Sequence, residues 1–328
     1  MSSFKVEVFK PELLPHPNAD RLSIVRFKGW TCVCNTADFA GSDLAAYVPL
    51  DAVVPDTPEW AFLQGHRRIK TCKLRGVVSQ GVLIPGKDHP HWKIGDDVAE
   101  ECGIVKYEEP EPLVPGGMFI GQPAAFIRYT DVENYKNHPG VFSPGEEVVV
   151  LEKLHGTNWR AGWLDGTFYV GSHKNCMKRD EKNLYWKAAI NLRVEEKMAQ
   201  FFGTEGDQMF HGEVLGVQDL RYGYNAGLPG LAIFDMSRRS QFMNWDEVER
   251  YCNGMGLPLV PVLYRGPFDE AKILELAEGR TTLSGADNIR EGVVVRPVKE
   301  RWHDSIGRVI LKVVGDSYLT RKNGTEHH

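Results

Sequence analysis

The sequence of 328 residues lacks long apolar segments, a signal-like start and an excess of positive charge. No apolar run approaches the roughly 18 residues that cross a bilayer, and the N-terminus does not follow a basic-then-apolar targeting pattern. We therefore expect a cytoplasmic protein without membrane association. The formal net charge of −5 argues against nucleic-acid binding through overall charge, so any such contact must come from local basic patches.

Cysteine is also sparse and irregularly spaced, so a disulfide framework is not expected. The cysteines are Cys32, Cys34, Cys72, Cys102, Cys176 and Cys252. Cys32 and Cys34 lie in a strand-like run without a second ligand pair, which predicts packing rather than zinc binding. The histidines His66, His89 and His91 near Cys72 lack such a pair as well, and no zinc site is predicted there.

Positive charge is concentrated in two clusters, each of which is either a nucleic-acid contact or a solvated surface. The first consists of Arg67, Arg68, Lys70, Lys73 and Arg75, and the second of Lys174, Lys178, Arg179, Lys182 and Lys187.

Short strand-like runs broken by Pro, Gly, Asn and Asp occupy residues 5–85 and predict a small β-barrel or sandwich. Two segments, 16–22 (HPNADRL) and 74–82 (LRGVVSQGV), resemble the tRNA-binding OB modules attached to some aminoacyl-tRNA synthetases. The resemblance implies a charged groove with aromatic stacking platforms. Candidates for these platforms are Trp30, Trp60 and Trp92, and the alternative is that they pack in the core.

An acidic, proline-rich stretch over residues 101–117 predicts an extended linker. At this length the chain can form two domains. We accordingly expect an OB-type nucleic-acid-binding module over residues 1–105, a linker over 106–118 and a second domain over 119–328.

Secondary-structure signals in the second domain are mixed. The dipeptide Asp165-Gly166 predicts a hairpin. Apolar positions four residues apart predict one helix over 183–202, a capping box beginning at Asn244 predicts a second helix that ends at Gly254, and a third is expected over 269–278. Because strands and helices do not alternate regularly, the fold class is α+β.

The most informative stretch of the second domain is polar and follows the apolar strand 148–151. A lysine directly after a buried strand is costly unless it is used, and the amine of a desolvated lysine becomes a nucleophile. Lys153 has this position, and Gly156 would allow the backbone to approach a bound phosphate. The alternative is a lysine that reaches solvent from a strand end beside a turn.

Five segments in order resemble motifs I, III, IIIa, IV and V of the covalent nucleotidyltransferases, the class of polynucleotide ligases and mRNA capping enzymes. They are 152–158 (EKLHGTN), 210–214 (FHGEV), 233–235 (IFD), 291–296 (EGVVVR) and 309–313 (VILKV), and 171–175 (GSHKN) resembles motif Ia. The Lys-x-His-Gly-Thr-Asn form of motif I is similar to that of phage RNA-ligase-2 type enzymes. An OB module ahead of the catalytic domain is similar to the order in RNA ligase family 5.

This resemblance implies an N-terminal OB-type β-barrel followed by an ATP-grasp-like nucleotidyltransferase domain of antiparallel sheets and helices. It assigns Lys153 as the nucleophile that takes AMP from ATP, Lys312 as the contact to the α-phosphate, and Glu291 as the ligand of Mg²⁺ or Mn²⁺, with Glu213 a second candidate ligand. The implied nucleotide contacts are Glu152, Lys153, Leu154, Asn158, Glu213 to ribose, Phe234 to adenine, Lys312, and either His173 or Lys174 for motif Ia. Motif V commonly carries a further lysine, and Ile310 stands in its place.

We therefore predict an ATP-dependent RNA ligase that joins 3′-hydroxyl and 5′-phosphate RNA ends, at nicks in duplexes or at broken ends, with repair as its purpose. No obligate protein partner is predicted. One alternative is a DNA ligase or a GTP-using capping enzyme of the same superfamily. The other is a non-catalytic tRNA-binding protein that acts through its OB module.

Overall fold

The structure, a computed structural model, describes residues 4–108 and 118–321. Most of the predicted linker (residues 109–117) and the terminal residues 322–328 lie outside the described residues.

The N-terminal part is built of short strands. They are β1 (Glu7–Phe9), β2 (Leu14–Pro15), β3 (Leu22–Phe27), β4 (Trp30–Asn35), β5 (Ala45–Val48), β6 (Ala52–Val53), β7 (Cys72–Leu74), β8 (Val77–Ser79), β9 (Val82–Pro85) and β10 (Val105–Lys106). The strands pair antiparallel in the orders β1-β5-β9, β2-β3-β4, β7-β8 and β10-β6. Short 3₁₀ helices cover Thr36–Phe39, Pro58–Leu63 and Gly86–Asp88.

The three tryptophans of this part are core residues. Trp30, Trp60 and Trp92 are 6%, 8% and 4% exposed and pack in the apolar clusters of the N-terminal part. The role of stacking platforms is therefore wrong for them, because a buried ring has no face open to a base. Their apolar area stabilises the small domain instead.

The second part contains longer strands in two sheets. The strands are β11 (Glu133–Asn134), β12 (Glu147–Lys153), β13 (Thr157–Leu164), β14 (Thr167–Ser172), β15 (Gln208–Leu215), β16 (Gly230–Arg238), β17 (Gln241–Phe242), β18 (Val262–Pro267), β19 (Gly292–Pro297), β20 (Trp302–His303), β21 (Gly307–Arg308) and β22 (Leu311–Val314). We call the sheet β11-β22-β19-β12-β18 the Lys153 sheet and the sheet β14-β13-β15-β16-β17 the Phe234 sheet. All pairs in them are antiparallel except β11 with β22, and β20 pairs with β21 in a separate hairpin.

The helices cover the outer faces of these sheets. They are α1 (Leu184–Asn191), α2 (Val194–Phe202), α3 (Trp245–Met255), α4 (Glu270–Leu276) and α5 (Asp316–Leu319), with a 3₁₀ helix over Tyr135–Asn137. The capping box of Asn244 and Glu247 is confirmed, although α3 ends at the αL residue Gly256 rather than at Gly254. The single helix predicted over 183–202 is wrong, because Arg193 adopts a left-handed conformation (φ 52°) that separates α1 from α2.

Strand β12 is buried on both faces, which explains its continuous apolar run. Val149 and Leu151 pack into the core shared with the Phe234 sheet, while Val148 and Val150 pack into a second core beneath α4. The strand therefore holds Lys153 at its end in a fixed position between the sheets.

Hydrogen bonds join the N-terminal part to the second part near the end of β22. Gln80 donates from Nε2 to Asp316 Oδ1 (3.0 Å) and accepts from Lys136 Nζ at Oε1 (2.8 Å). Trp30 Nε1 donates to Asn137 Oδ1 (2.7 Å). Because Gln80 is only 3% exposed, these bonds are shielded from water and fix one part against the other.

A buried charge network connects the Phe234 sheet to the Lys153 sheet. Asp235 is fully buried. Its Oδ1 lies 3.0 Å from Arg296 Nη1, and its Oδ2 lies 2.5 Å from Arg308 Nη2. The Tyr129 hydroxyl donates a hydrogen bond to the same Oδ2 at 2.8 Å. Burial alone would raise the pKa of Asp235, but Arg296 and Arg308 outweigh it and hold that pKa at about 2.

We predict that Asp235→Asn lowers the free energy of unfolding by about 3–5 kcal/mol. The two buried guanidinium groups of Arg296 and Arg308 would then share Glu300 as an acidic partner, which leaves one buried positive charge uncompensated. Urea denaturation at neutral pH measures this loss. The exposed Glu205→Gln is the matched control and should change the stability by less than about 0.5 kcal/mol. A loss below about 1 kcal/mol for Asp235→Asn would contradict the proposed charge balance.

Candidate active site

Three adjacent strands of the Lys153 sheet bring the predicted catalytic residues together. Lys153, the last residue of β12, pairs with Gly292 at the start of β19, directly after Glu291. On the next strand, β22, Lys312 pairs with Val294. Residues that are up to 159 positions apart in the sequence therefore meet on the three central strands of this sheet.

Lys153 and Glu291 form an ion pair where β12 ends and β19 begins. The distance from Lys153 Nζ to Glu291 Oε1 is 2.6 Å, and the carboxylate is fully buried. Burial opposes the charge, but Lys153 and His155 hold the pKa of Glu291 below its usual value. The second oxygen, Oε2, lacks a hydrogen-bond partner of normal geometry and lies 3.5 Å from His155 Nδ1.

The histidine of the motif, His155, belongs to a network that the sequence did not reveal. Its Nε2 lies 2.6 Å from Asp219 Oδ1, and its Nδ1 lies 3.1 Å from the Tyr318 hydroxyl. Arg321 in turn contacts Asp219 at 2.9 Å. The network fixes the ring that faces Glu291, and no local signal marks Asp219 or Tyr318 because both are distant in sequence.

Close approach explains two glycines beside these residues. A Cβ on Gly156 would lie 2.1 Å from the carbonyl oxygen of Val214, and one on Gly292 would lie 2.1 Å from that of Val313. Gly156 lets the turn after β12 pack against β15, and its approach to a bound phosphate stays a prediction.

The Phe234 sheet supplies the opposite wall. Asn158 on β13 pairs with Glu213 on β15, so their side chains lie on the same face. Phe234 is the extra residue of a bulge in β16, where the register shifts between His211 and Gly212. Bulges redirect side chains, and this one turns the half-buried Phe234 ring into the space between the sheets.

Burial shifts the pKa values of two groups toward their neutral forms. It raises the pKa of Glu213 to about 8, with Lys153 opposing and Glu291 adding to the shift. It lowers the pKa of Lys312 to about 8, and the positive charge of Lys153 lowers it further. Glu213 Oε1 accepts a hydrogen bond from Gly156 N at 3.0 Å. The site therefore carries less charge than its residue types suggest.

Glu152, the residue before Lys153, is buried. Its Oε2 accepts hydrogen bonds from Thr282 N and Oγ1, both at 2.8 Å, while Oε1 is buried without a hydrogen-bond partner. Leu154 is 4% exposed and packs in the core between the sheets.

The structure separates the two candidates for motif Ia. His173 lies on the wall of the site, 3.5 Å from Asp131, whereas Lys174 is exposed and does not line it. Burial lowers the pKa of His173, so the ring is biased toward its neutral form although Asp131 opposes this.

A cavity of about 240 Å³ lies between the two sheets at this point. Its walls include Glu152, Lys153, Leu154, Asn158, His173, Glu213, Phe234 and Lys312, which are all of the predicted nucleotide contacts except Lys174. Ile310 also lines it, at the position where motif V commonly has a lysine. The wall residues that were not predicted as contacts include Tyr129, Thr130 and Val260, which lie outside the motifs, and Val294, which lies within motif IV.

A cavity between two antiparallel sheets, with a lysine at a strand end and carboxylates beside it, defines a nucleotidyltransferase-like domain. The sequence pattern of the RNA ligase family matches residues 146–314, and that of an OB-fold domain matches residues 6–86. The chain belongs to the RNA ligase family. The predicted fold class, an OB-fold domain followed by this α+β domain, is confirmed.

Solved structures of an RNA ligase from Naegleria gruberi have the same fold over nearly the whole chain. A mutant of it with ATP and Mn is 23% identical with a TM-score of 0.78, and covers 96% of this chain and 98% of that chain. A mutant with AMP and Mn is 23% identical with a TM-score of 0.79, covering 95% and 97%. The form with PPi is 23% identical with a TM-score of 0.78, covering 96% and 98%.

A comparison with curated protein sequences found no match. Within the part of the chain that the structure describes, no helix has the length and apolar character to span a bilayer.

We predict that Glu213→Gln makes the protein more stable relative to wild type as the pH rises from about 5 to 8. The folded carboxyl has a pKa of about 8 against an ordinary 4.5, so the folded state binds a proton in this window that the unfolded state lacks. The free energy of unfolding of wild type therefore falls across the window, and glutamine removes that fall. Thermal denaturation across the pH series checks this, and a pH-independent difference between the two proteins would contradict it.

Proposed function

We propose that this RNA ligase uses ATP to join 3′-hydroxyl and 5′-phosphate RNA ends, mainly at nicks in duplexes, through AMP bound to Lys153. The observation that carries the proposal is the meeting of Lys153, Glu291 and Lys312 at one end of a cavity whose other wall presents Phe234 and Glu213.

The cavity suits a nucleotide in shape and chemistry. Phe234 offers an aromatic face for a base, beside the apolar side chains of Val260 and Val294. The Asn158 Oδ1 and Glu152 Oε1 atoms are buried without hydrogen-bond partners in the protein. Buried polar atoms of this kind are normally satisfied, so a bound ligand that donates hydrogen bonds would complete the site.

The first step needs the neutral amine of Lys153. Glu291 Oε1, at 2.6 Å from Nζ, orients the side chain, and the ammonium proton leaves to solvent before the attack. The nitrogen then forms a bond to the α-phosphorus of ATP while the bond from that phosphorus to the pyrophosphate oxygen breaks. Lys312 lies on the neighbouring strand β22 and would stabilise negative charge on the phosphate. The phosphate would in turn favour the protonated, positively charged form of Lys312.

The buried carboxylate of Glu291 fits a divalent cation such as Mg²⁺ or Mn²⁺, because its Oε2 atom has no hydrogen-bond partner of normal geometry. A bound cation would neutralise charge on the phosphates of ATP. Glu213 fits this role less well, since its Oε1 is engaged by the Gly156 backbone and its raised pKa favours the protonated acid. We therefore propose Glu291 as the protein ligand and Glu213 as a ribose contact.

RNA would reach Lys312 through the cleft between the two parts of the chain. This cleft has a volume of about 680 Å³, and Lys312 lines both it and the nucleotide cavity. Lysines line it (Lys5, Lys28, Lys106, Lys136 and Lys312), and so do the acidic residues Glu7, Asp51, Asp131 and Glu133. Lys28 pairs with Glu7 at 2.8 Å, so the cleft is of mixed charge with a small excess of lysines. Because the cleft reaches Lys312 and also borders the OB-fold domain, we propose that this domain helps to hold the RNA end.

We predict that incubation with α-labelled ATP and Mg²⁺ places the label on the wild-type protein, and that Lys153→Ala abolishes it, because no other amine occupies that strand end. Denaturing electrophoresis measures the label, and α-labelled GTP run in parallel tests the capping alternative. The exposed Lys299→Ala is the control and should label normally. A Lys153→Ala protein that still becomes labelled would contradict the assignment.

The labelled protein should then transfer AMP to a nicked RNA duplex and seal it, and do so less efficiently on a matched nicked DNA. Gel analysis of the labelled strands separates the adenylated intermediate from the joined product. Equal or better sealing of DNA would favour the DNA-ligase alternative.

A further inference from the structure

A second cluster of metal-ligating side chains lies in the N-terminal part, away from the cavity. His89 Nδ1 lies 3.2 Å from Glu101 Oε1, and His91 Nε2 lies 3.1 Å from the same oxygen. The ligand atoms of these three residues all lie within 4.8 Å of one another. They line neither the cavity nor the interdomain cleft.

The buried Trp92 orients this cluster. Its indole ring stacks on the His89 ring, with centroids 4.0 Å apart and planes 11° apart, and its Nε1 donates to Glu101 Oε1 at 3.0 Å. Trp92, which is 4% exposed, therefore fixes both the His89 imidazole and the Glu101 carboxylate. Partners that hold the ligands in this way are typical of metal sites, where they set the orientation of the ligands.

Backbone hydrogen bonds hold the two segments that carry the ligands. His89 N donates to Gly86 O at 2.9 Å, at the end of the 3₁₀ helix Gly86–Asp88. Around Glu101, Cys102 N donates to Val98 O (2.9 Å) and Ile104 N to Ala99 O (2.8 Å). The ligand positions are thus largely arranged before any ion binds, which lowers the entropic cost of binding.

The donor set selects a class of metal. Two imidazoles and one carboxylate suit Zn²⁺, Co²⁺, Ni²⁺ and Cu²⁺, whereas Mg²⁺ prefers oxygen ligands alone. Exposed side chains of His91 (63%) and Glu101 (41%) leave room for water to complete the coordination.

We propose that His89, His91 and Glu101 bind one divalent transition-metal ion of the zinc class. The ion links the loop after β9 to the turn before β10, the last strand of the N-terminal part. No zinc site was predicted around these histidines, because the third ligand, Glu101, is ten residues beyond His91 and has no motif spacing. This site is independent of the proposed ligase chemistry.

Calorimetric titration of the full chain with Zn²⁺, in excess Mg²⁺ to occupy other sites, tests the proposal. All variants carry His327→Ala and His328→Ala, so that the terminal histidines do not contribute. We expect His91→Ala and Glu101→Gln each to weaken the binding at least roughly ten-fold and to lose one equivalent. His66→Ala, an exposed histidine of the same part of the chain, should bind as the parent does.

A second readout separates metal binding from folding. Zn²⁺ should raise the melting temperature of the parent and of His66→Ala but not that of His91→Ala, while all three melt alike without zinc. Labelling with ATP in Mg²⁺ should be unchanged in His91→Ala. Identical zinc titrations for the parent and His91→Ala, or no binding by the parent, would overturn the proposal and leave only a histidine–carboxylate ion pair.

Discussion

The ion pair between Lys153 and Glu291 is the interaction around which the catalytic domain is arranged. It exists because β12, β19 and β22 lie side by side, which places a lysine, a carboxylate and a second lysine together in the middle of one sheet. Burial of β12 on both faces keeps Lys153 in register, and close approach at Gly156 and Gly292 brings the neighbouring strands into contact. A buried ion pair adds little net stability, so its value lies in the chemistry that it prepares.

Opposed charges in a low-dielectric space explain how the site is prepared. Glu291 keeps its negative charge because Lys153 and His155 face it, whereas burial raises the pKa of Glu213 and lowers that of Lys312, each to about 8. These two groups therefore change charge near neutral pH when a ligand arrives. A phosphate would draw a proton onto Lys312, and a cation at Glu291 would compete with Lys153 for the carboxylate, which favours the neutral amine.

Much of the fold and site could be predicted because motif residues lie at strand ends, where local sequence is informative. The strand before Lys153, the hairpin at Asp165-Gly166 and the cap of α3 follow from short-range patterns. Long-range contacts carry no such signal: His155 meets Tyr318, and Glu101 meets His89, only after folding. The left-handed Arg193 that separates α1 from α2 is also hidden, because a non-glycine residue gives no warning of that conformation.

The central claim is that Lys153 is the residue that receives AMP. Mass spectrometry of peptides from the protein after reaction with ATP and Mg²⁺, under alkaline conditions that preserve the P–N bond, tests it most directly. We expect AMP on the peptide that contains Lys153 and on no other peptide that contains a lysine. An adduct on the peptide that contains Lys312, or the absence of any adduct from a protein that joins RNA, would contradict it.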